Sequence, residues 1–159
     1  MPLLANMVND WNLGHIFLHP WFWSSFLGWT VAQTIKLVRS AIRTRSIDFE
    51  YLVSTGGMPS AHSAMVMGLA TSIGLTEGFG SPVTMLAFGF AAVTTFDAAT
   101  VRRAAGEQAK VLNQMVRELR ELKFKPRHLK ELLGHSRTEV IWGMVTGICT
   151  AIVVCRLWK

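Results

Sequence analysis

Two histidines in this sequence have neighbours that suit acid–base chemistry on a bound anion. The first, His62, lies in the segment GGMPSAHSA at residues 56–64. The two glycines permit a tight turn, and Pro59 suits the first position of a helix because the amide that proline lacks would be unpaired there. Ser60 and His62 are then predicted in the first helical turn, where free amides and the helix dipole favour an anion. A histidine at that position can exchange a proton with an atom of the anion.

The second histidine, His135, has a carboxylate partner at helical spacing. Glu139 follows it by four residues, which places both side chains on one face of a helix. A carboxylate in this position can fix the tautomer of an imidazole that acts as a nucleophile. Both histidines also have plainer interpretations, namely a glycine–proline turn before a helix for His62 and a surface contact for the His135–Glu139 pair.

Long apolar segments surround these residues and must position them. Half of the 159 residues are hydrophobic and 16% are charged, which predicts one membrane-embedded domain, residues 1–159. About 20 apolar residues in a helix span the hydrocarbon core of a bilayer. The predicted fold is all-α, a polytopic membrane helix bundle with about four transmembrane helices, and the third is expected to continue as helix to about residue 115. The four predicted spans are residues 16–35, 59–75, 82–101 and 140–155.

The positive charge is concentrated in two blocks. The formal net charge is +6, and 14 of the 16 Lys and Arg residues lie within residues 36–45 and 102–137. This distribution indicates a membrane protein rather than a nucleic-acid-binding protein. Residues 119–137 are predicted as a basic cytoplasmic loop or interfacial helix. By the positive-inside rule the basic side faces the cytoplasm and both termini lie outside.

On this topology the unusual polar residues meet at the cytoplasmic ends of the helices. Ionisable groups near membrane depth are costly to bury, so several at one level indicate a site. Basic residues at a helix end are also common as anchors that extend to the membrane surface. For Asp97 the alternative role is a structural partner of a nearby arginine. The residues concerned are Lys36, Arg43, His62, Asp97, Arg102, Arg103, His135 and Glu139.

Three blocks of the sequence resemble the divergent type-2 phosphatidic acid phosphatases, a group related to acid phosphatases and vanadium-dependent haloperoxidases. The blocks are MPSAHSA at 58–64, FDAATVRRAAG at 96–106, and LKELLGH at 129–135 followed by EV at 139–140. The resemblance covers the chain from about Trp29 to the C terminus. It implies a helical membrane protein that acts on a phosphorylated lipid.

Enzymes of the parent family carry the motifs KxxxxxxRP, PSGH and SRxxxxxHxxxD, and this sequence matches the first two with one change in each. Lys36 and Arg43 have the spacing of the first motif, with Thr44 in place of its proline. The segment PSAH at residues 59–62 matches the second motif, with alanine in place of glycine.

The third motif is present only in its second half. His135 and Glu139 match its HxxxD end, with glutamate in place of aspartate, whereas its serine and arginine fall on His128 and Leu129. One cation of the family's phosphate site is therefore missing. Three basic residues could supply the missing charge: Arg102, Arg103 and Lys130. The block around Asp97 is a feature of the divergent group rather than of the parent family.

The resemblance implies a phosphatase mechanism that needs no cofactor and no metal. His135 would attack phosphorus and form a phosphohistidine, with Glu139 orienting its imidazole. His62 would protonate the leaving alkoxide and later deprotonate the attacking water. The same His, Asp and Glu residues could instead bind a divalent ion. Phosphate oxygens would be bound by amides near Ser60 and by cations, namely Lys36, Arg43 and either Arg102 or Arg103.

The sequence thus favours an integral membrane lipid phosphatase in a cytoplasmic, inner or organellar membrane, with its site facing the cytoplasm. Expected substrates are phosphatidylglycerol phosphate, phosphatidic acid or an isoprenyl phosphate. The alternative is a non-catalytic scaffold that binds anionic lipids through its basic loop. A transport subunit is disfavoured because no span carries paired midplane charges. A homodimer is also expected to be feasible, and the small residues Gly143–Gly147 either form its contact or pack within the chain.

Overall fold

The computed structural model describes residues 13–45, 57–118 and 134–158, with only the backbone described for Leu13, Arg102, Arg103 and Glu118. All regular structure in these ranges is helical, which confirms the all-α prediction at this level. A short 3₁₀ helix, Leu13–Leu18, precedes five α-helices. These are α1 (Pro20–Thr44), α2 (Ala61–Glu77), α3 (Pro82–Ala99), α4 (Val101–Glu118) and α5 (Arg137–Leu157).

Helix α1 begins at Pro20, as the sequence predicts, and ends where Arg45 adopts a left-handed conformation with φ of 53°. The helix continues well past the apolar segment 16–35. Its last turns therefore carry the basic stripe of Lys36, Arg39 and Arg43 on a rigid element. This continuation fixes the cations relative to the rest of the bundle.

Helix α2 begins two residues later than the sequence predicts. Pro59 is not its first residue, because Ser60 is the N-cap and its hydroxyl accepts a hydrogen bond from the amide of Ser63 at 3.3 Å. A serine cap satisfies one of the amides that a helix leaves unpaired at its start, which a proline cannot do. His62 still lies in the first turn, so the prediction for that residue is confirmed.

Helices α3 and α4 follow one another with a break at a single residue. Ser81 caps α3 and Pro82 opens it. At Thr100 the backbone departs from helical angles, while the threonine amide and hydroxyl both donate to the carbonyl of Phe96, at 3.0 and 2.6 Å. The predicted continuation of the third span beyond residue 101 is confirmed, with this local distortion between its two halves.

Three long-range contacts fix how the helices run relative to one another. The indole of Trp21, at the start of α1, donates to the hydroxyl of Thr76 at the end of α2 at 2.6 Å, so these helices are antiparallel. The amide of Ser60 donates to the carbonyl of Glu139 at 2.9 Å, and Ser72 contacts Cys155 at 3.2 Å, so α2 and α5 are parallel.

This arrangement gives the bundle two distinct ends. The end of α1, the starts of α2 and α5 and the end of α3 share what we term the histidine end, which holds His62 and His135. The opposite end, where α1 begins and α2 ends, holds Trp21 and Thr76 and is termed the aromatic end. Lys36, His62, His135 and Glu139, which the sequence predicts at one level, lie together at the histidine end.

Small residues allow α1, α2 and α5 to approach closely between the two ends. A Cβ atom on Gly28 would lie 2.9 Å from the carbonyl oxygen of Ala64, and one on Gly147 would overlap that same oxygen. A Cβ on Gly143 would likewise overlap the carbonyl of Ser60. The Gly143–Gly147 surface therefore packs against α2 of the same chain, which was one of its two expected roles. The expected homodimer stays a prediction.

Two stretches of the described chain are long and apolar enough to cross a bilayer. One runs from Pro82 to Arg117 through α3 and α4, and the other is α5, Arg137–Leu157. Most of the α3 surface is not covered by protein, and Leu86, Val93 and Phe96 are each about 70% exposed, which suits contact with lipid chains. The remaining two of the four predicted spans stay predictions, since α2 has only 17 residues and lies packed between its neighbours.

Candidate functional site

The site begins with one face of α1. Lys36 is 5% exposed, and its aliphatic stem lies against Gly57, whose backbone adopts φ of 93°. A residue with a side chain would be strained at that angle. Arg39, Ser40 and Arg43 lie on the same face of the helix toward its end. The face thus presents three cations and a hydroxyl within two turns.

His135 is held by its backbone at the junction of two helices. Its amide donates to the carbonyl of Ala98, the second-to-last residue of α3, at 3.0 Å. Gly134, immediately before it, adopts φ of 99°, which turns the chain into the start of α5. The imidazole is 2% exposed. Its position is therefore set by a contact between α3 and the residues just before α5.

Glu139 connects the histidine to the start of α5. Its carboxylate accepts from the amide of Ser136 at 2.8 Å, while its own amide donates to the hydroxyl of Ser136 at 3.3 Å, forming a capping box. The same carboxylate oxygen lies 3.5 Å from Nδ1 of His135. Because the cap fixes this carboxylate, it lies beside the imidazole without needing the imidazole to hold it in place.

The surroundings of His135 keep it uncharged. Its pKa is lowered to about 4, mainly by burial and then by the positive charge of Lys36, while the carboxylate of Glu139 acts in the opposite direction. His62 also lowers this pKa. A neutral imidazole retains a lone pair, which is the form required of a nucleophile or of a proton acceptor. With Nδ1 turned toward Glu139, Nε2 is the nitrogen on the other side of the ring.

The two histidines are neighbours across the contact between α2 and α5. Their ring centroids are 6.3 Å apart and the ring planes are inclined by 58°. The rings are thus not stacked on each other. A separation of this size allows both imidazoles to approach the same small group from different sides.

A cavity of about 540 Å³ lies between the basic face of α1 and the start of α5. Cations line one wall and hydroxyl and carboxylate groups line the other. Neither histidine is among the lining residues, so Glu139 is the residue that belongs both to the cavity and to the His135 pair. The lining is formed by Lys36, Arg39, Ser40, Ile42, Arg43, Thr44, Gly57, Met58, Ser136, Thr138 and Glu139.

Comparison with known proteins identifies the family of the chain. A sequence model of the family described as Divergent PAP2 family matches residues 17–150. The chain belongs to the divergent PAP2 family. A protein of Bacillus subtilis (strain 168), described as the uncharacterized membrane protein YuiD, is 41% identical over 143 residues, covering 82% of this chain and 90% of that protein. No solved structure matches the chain. The family expected from the motifs is confirmed.

Ser60 of this divergent PAP2 protein serves the fold with both of its polar groups. Its amide donates to the carbonyl of Glu139, and its hydroxyl accepts from the amide and the hydroxyl of Ser63, at 3.3 and 3.0 Å. The residue is fully buried and does not line the cavity. Its expected contact with phosphate stays a prediction, whereas its role in joining α2 to α5 is visible.

The other expected site residues are described only in part. Asp97 is half-buried at the end of α3, next to the carbonyl that holds His135. The side chains of Arg102 and Arg103 and the whole of Lys130 lie outside the described part of the structure. Their phosphate-binding or supporting roles stay predictions. Within the described residues, no three His, Cys, Asp or Glu side chains are grouped to hold a metal ion.

Eight of the described cavity residues were not among the expected site residues, and five of these have polar side chains: Arg39, Ser40, Thr44, Ser136 and Thr138. For Arg39 the signal was present, since it lies between Lys36 and Arg43 on the same stripe. For Ser136 the signal was the S-x-x-E pattern that it forms with Glu139, which is typical of a capping box. Ser40 and Thr138 have no such pattern, because only the packing of α1 against α5 shows that they face a cavity.

Proposed function

We propose that this divergent PAP2-family membrane protein is a lipid phosphate phosphatase that hydrolyses a phosphomonoester through a phosphohistidine. The observation that carries the proposal is the grouping at the histidine end. A buried neutral imidazole with a fixed carboxylate partner lies beside a second imidazole and next to a cation-lined cavity. This grouping supports a site for acid–base and nucleophilic catalysis.

In the first step Nε2 of His135 attacks phosphorus. A nitrogen–phosphorus bond forms, and the ester bond from phosphorus to the lipid oxygen breaks. Glu139, 3.5 Å from Nδ1, takes the hydrogen bond of the Nδ1 proton and stabilises the positive charge that develops on the ring. His62, in its acid form, donates a proton to the departing lipid oxygen, which leaves as an alcohol.

In the second step water replaces the histidine. His62, now neutral, accepts a proton from the attacking water, the phosphorus–nitrogen bond breaks, and inorganic phosphate is released with neutral His135 restored. His62 is proposed for the acid–base role because it lies in the first turn of α2, where the helix dipole favours the negative charge that develops on the departing oxygen.

Lys36 and Arg43 are proposed to bind the nonbridging phosphate oxygens. Both line the cavity between α1 and α5. Charge that spreads over these oxygens in the transition state would be stabilised by these fixed cations. The basic blocks of the sequence support a cytoplasmic position of this end, and the uncovered apolar face of α3 allows an acyl or isoprenyl chain to remain in the bilayer.

The proposal is tested with the purified full-length protein in mixed micelles. Release of inorganic phosphate would be measured from phosphatidic acid, phosphatidylglycerol phosphate and an isoprenyl phosphate. We expect release from at least one of them, inhibition by vanadate, and no release by His135→Gln, which keeps a polar side chain but provides no nucleophilic nitrogen. If native protein binds these lipids and releases no phosphate from any of them, the non-catalytic lipid-binding alternative replaces the phosphatase.

A further inference from the structure

The cavity contains more positive charge than the family motifs account for. Lys36 and Arg43 match a motif, but Arg39 lies between them on the same face and lines the same wall. Opposite them, the only charged lining residue in the described part of the chain is Glu139. Among the described residues, three cations and one carboxylate give the lining a net charge of +2, which is complementary to a phosphomonoester near its dianionic form.

Ser40 provides a second and independent observation. The residue is 8% exposed, lines the cavity, and its hydroxyl has no hydrogen-bond partner among the described residues. Among the other hydroxyls of α1, those of Thr30, Thr34 and Thr44 donate to the carbonyl four residues earlier, at 2.8 to 2.9 Å. The buried hydroxyl of Ser24 also lacks a partner among the described residues, but Ser24 does not line the cavity. A buried hydroxyl without a partner is costly, and an anion in the cavity would give Ser40 that partner.

We propose that Arg39 and Ser40 complete the phosphate-binding site, with Arg39 supplying the cation that the third family motif lacks. The proposal deepens the phosphatase function and rests on it for the identity of the substrate. The motif arginine falls on Leu129 in this chain. Arg39 compensates from α1, across the cavity from the hydroxyls of Ser136 and Thr138.

The position of Arg39 fits this role sterically. It lies one helical turn from Lys36 and one from Arg43, and a turn rises about 5.4 Å. Its guanidinium can therefore reach the same group as its two neighbours, and its planar donors suit two phosphate oxygens at once. Within the described chain, no carboxylate forms an ion pair with Arg39. The competing role is an anchor that extends to the membrane surface.

The test measures binding of inorganic phosphate to the purified full-length protein by calorimetry, which does not require turnover. Arg39→Met should raise the dissociation constant for phosphate by about tenfold or more, which is the loss of affinity expected when a hydrogen bond to a charged group is removed. Arg39→Lys should lose less, because it keeps the charge but not the paired donors. Ser40→Ala should weaken binding by about threefold, and unchanged binding in that variant would remove Ser40 from the site.

Arg45→Gln is the matched control. Arg45 is an exposed cation at the end of the same helix that does not line the cavity, so its loss should change phosphate binding less than twofold. Thermal unfolding of each variant shows that it is folded. The proposal is overturned if Arg39→Met binds phosphate as tightly as native protein, if Arg45→Gln loses as much, or if native protein does not bind phosphate.

The outcome separates this inference from the phosphatase itself. Suppose that Arg39→Met loses phosphate binding, Arg45→Gln keeps it, and native protein hydrolyses no lipid phosphate. The anion site is then supported and the phosphatase proposal is wrong. If native protein hydrolyses lipid phosphate and Arg39→Met retains both binding and turnover, catalysis stands and Arg39 is an anchor.

Discussion

The two ends of the bundle are built from the same helices but differ in how their polar side chains are hydrogen-bonded. At the aromatic end, the hydroxyl of Thr76 accepts from Trp21 and that of Thr84 donates to the carbonyl of Gly78 at 2.8 Å. At the histidine end, Nδ1 of His135 and the hydroxyl of Ser40 lack good hydrogen bonds among the described residues, and Lys36 is buried.

The buried polar groups at the histidine end lower the stability of the fold. A buried polar group without a full partner costs about 1–3 kcal/mol, and such groups persist where the chemistry of a site requires them. At the aromatic end the hydroxyls of Thr76 and Thr84 are hydrogen-bonded, although the buried hydroxyl of Ser24, one turn from Trp21, lacks a partner among the described residues. The histidine end keeps a neutral imidazole, a buried amine and a hydroxyl beside a cavity. We therefore expect substitutions at the two ends to separate activity from stability.

The largest effect is expected from the two histidines. Replacing His135 with alanine removes the nucleophile, so turnover should fall by about 10³-fold or more. His62→Ala should lose comparable activity on a lipid phosphate, but should recover part of it on p-nitrophenyl phosphate, whose leaving group needs no protonation. Turnover of both variants on both substrates is the measurement. Recovery of His135→Ala instead of His62→Ala would reverse their roles.

The next effect concerns the cations of α1. Lys36→Ala and Arg43→Ala should each lower turnover by about 10²- to 10³-fold, by analogy with about 3–4 kcal/mol for one oxyanion-hole donor. The loss should appear with membrane insertion and thermal stability retained. Phosphate release and thermal unfolding, measured side by side, check this. Near-normal turnover in both variants would make these residues membrane anchors.

A smaller effect, on stability alone, is expected where α1, α2 and α5 pack closely between the two ends. Gly147→Ala should destabilise the protein by about 1–3 kcal/mol, because the added methyl overlaps the carbonyl of Ala64. Gly89→Ala is the matched control, since a Cβ on Gly89 of α3 meets no atom within 4 Å. That variant should be equally stable or gain about 0.5–1 kcal/mol. Thermal unfolding in one detergent compares them, and equal destabilisation would contradict the packing described.

The smallest effect is expected at the aromatic end. Thr76→Val removes the acceptor of the Trp21 indole at an exposed position, so unfolding free energy should fall by about 1 kcal/mol or less. Phosphate release by the folded protein should be unchanged. Turnover that falls as far in Thr76→Val as in Lys36→Ala would mean that the two ends are not independent.

Much of the fold could be predicted from local sequence signals. Pro20 and Pro82 begin helices as expected, and the alternating direction of four apolar segments was enough to bring Lys36, His62 and His135 to one level. The start of α2 was misplaced because Ser60 and Pro59 both suit a helix start. Which of the two applies depends on the contact between Ser60 and Glu139, which is remote in sequence.

The detail of the site could not be predicted, because it depends on contacts between helices. His135 is buried since its backbone is tied to Ala98, 37 residues earlier. The spacing of His135 and Glu139 predicted their pairing but not the cap with Ser136 that fixes the carboxylate. The cavity and the place of Arg39 and Ser40 in it follow from how α1 packs against the start of α5.

The most direct test of the account is the covalent intermediate. Native protein would be mixed with phosphatidic acid carrying a radioactive phosphate, quenched within milliseconds under alkaline conditions that preserve phosphohistidine, and digested for mass spectrometry. The account predicts phosphate on the peptide that contains His135, and none in His135→Gln. Rapid phosphate release with no labelled histidine, or with the label on His62, would contradict it.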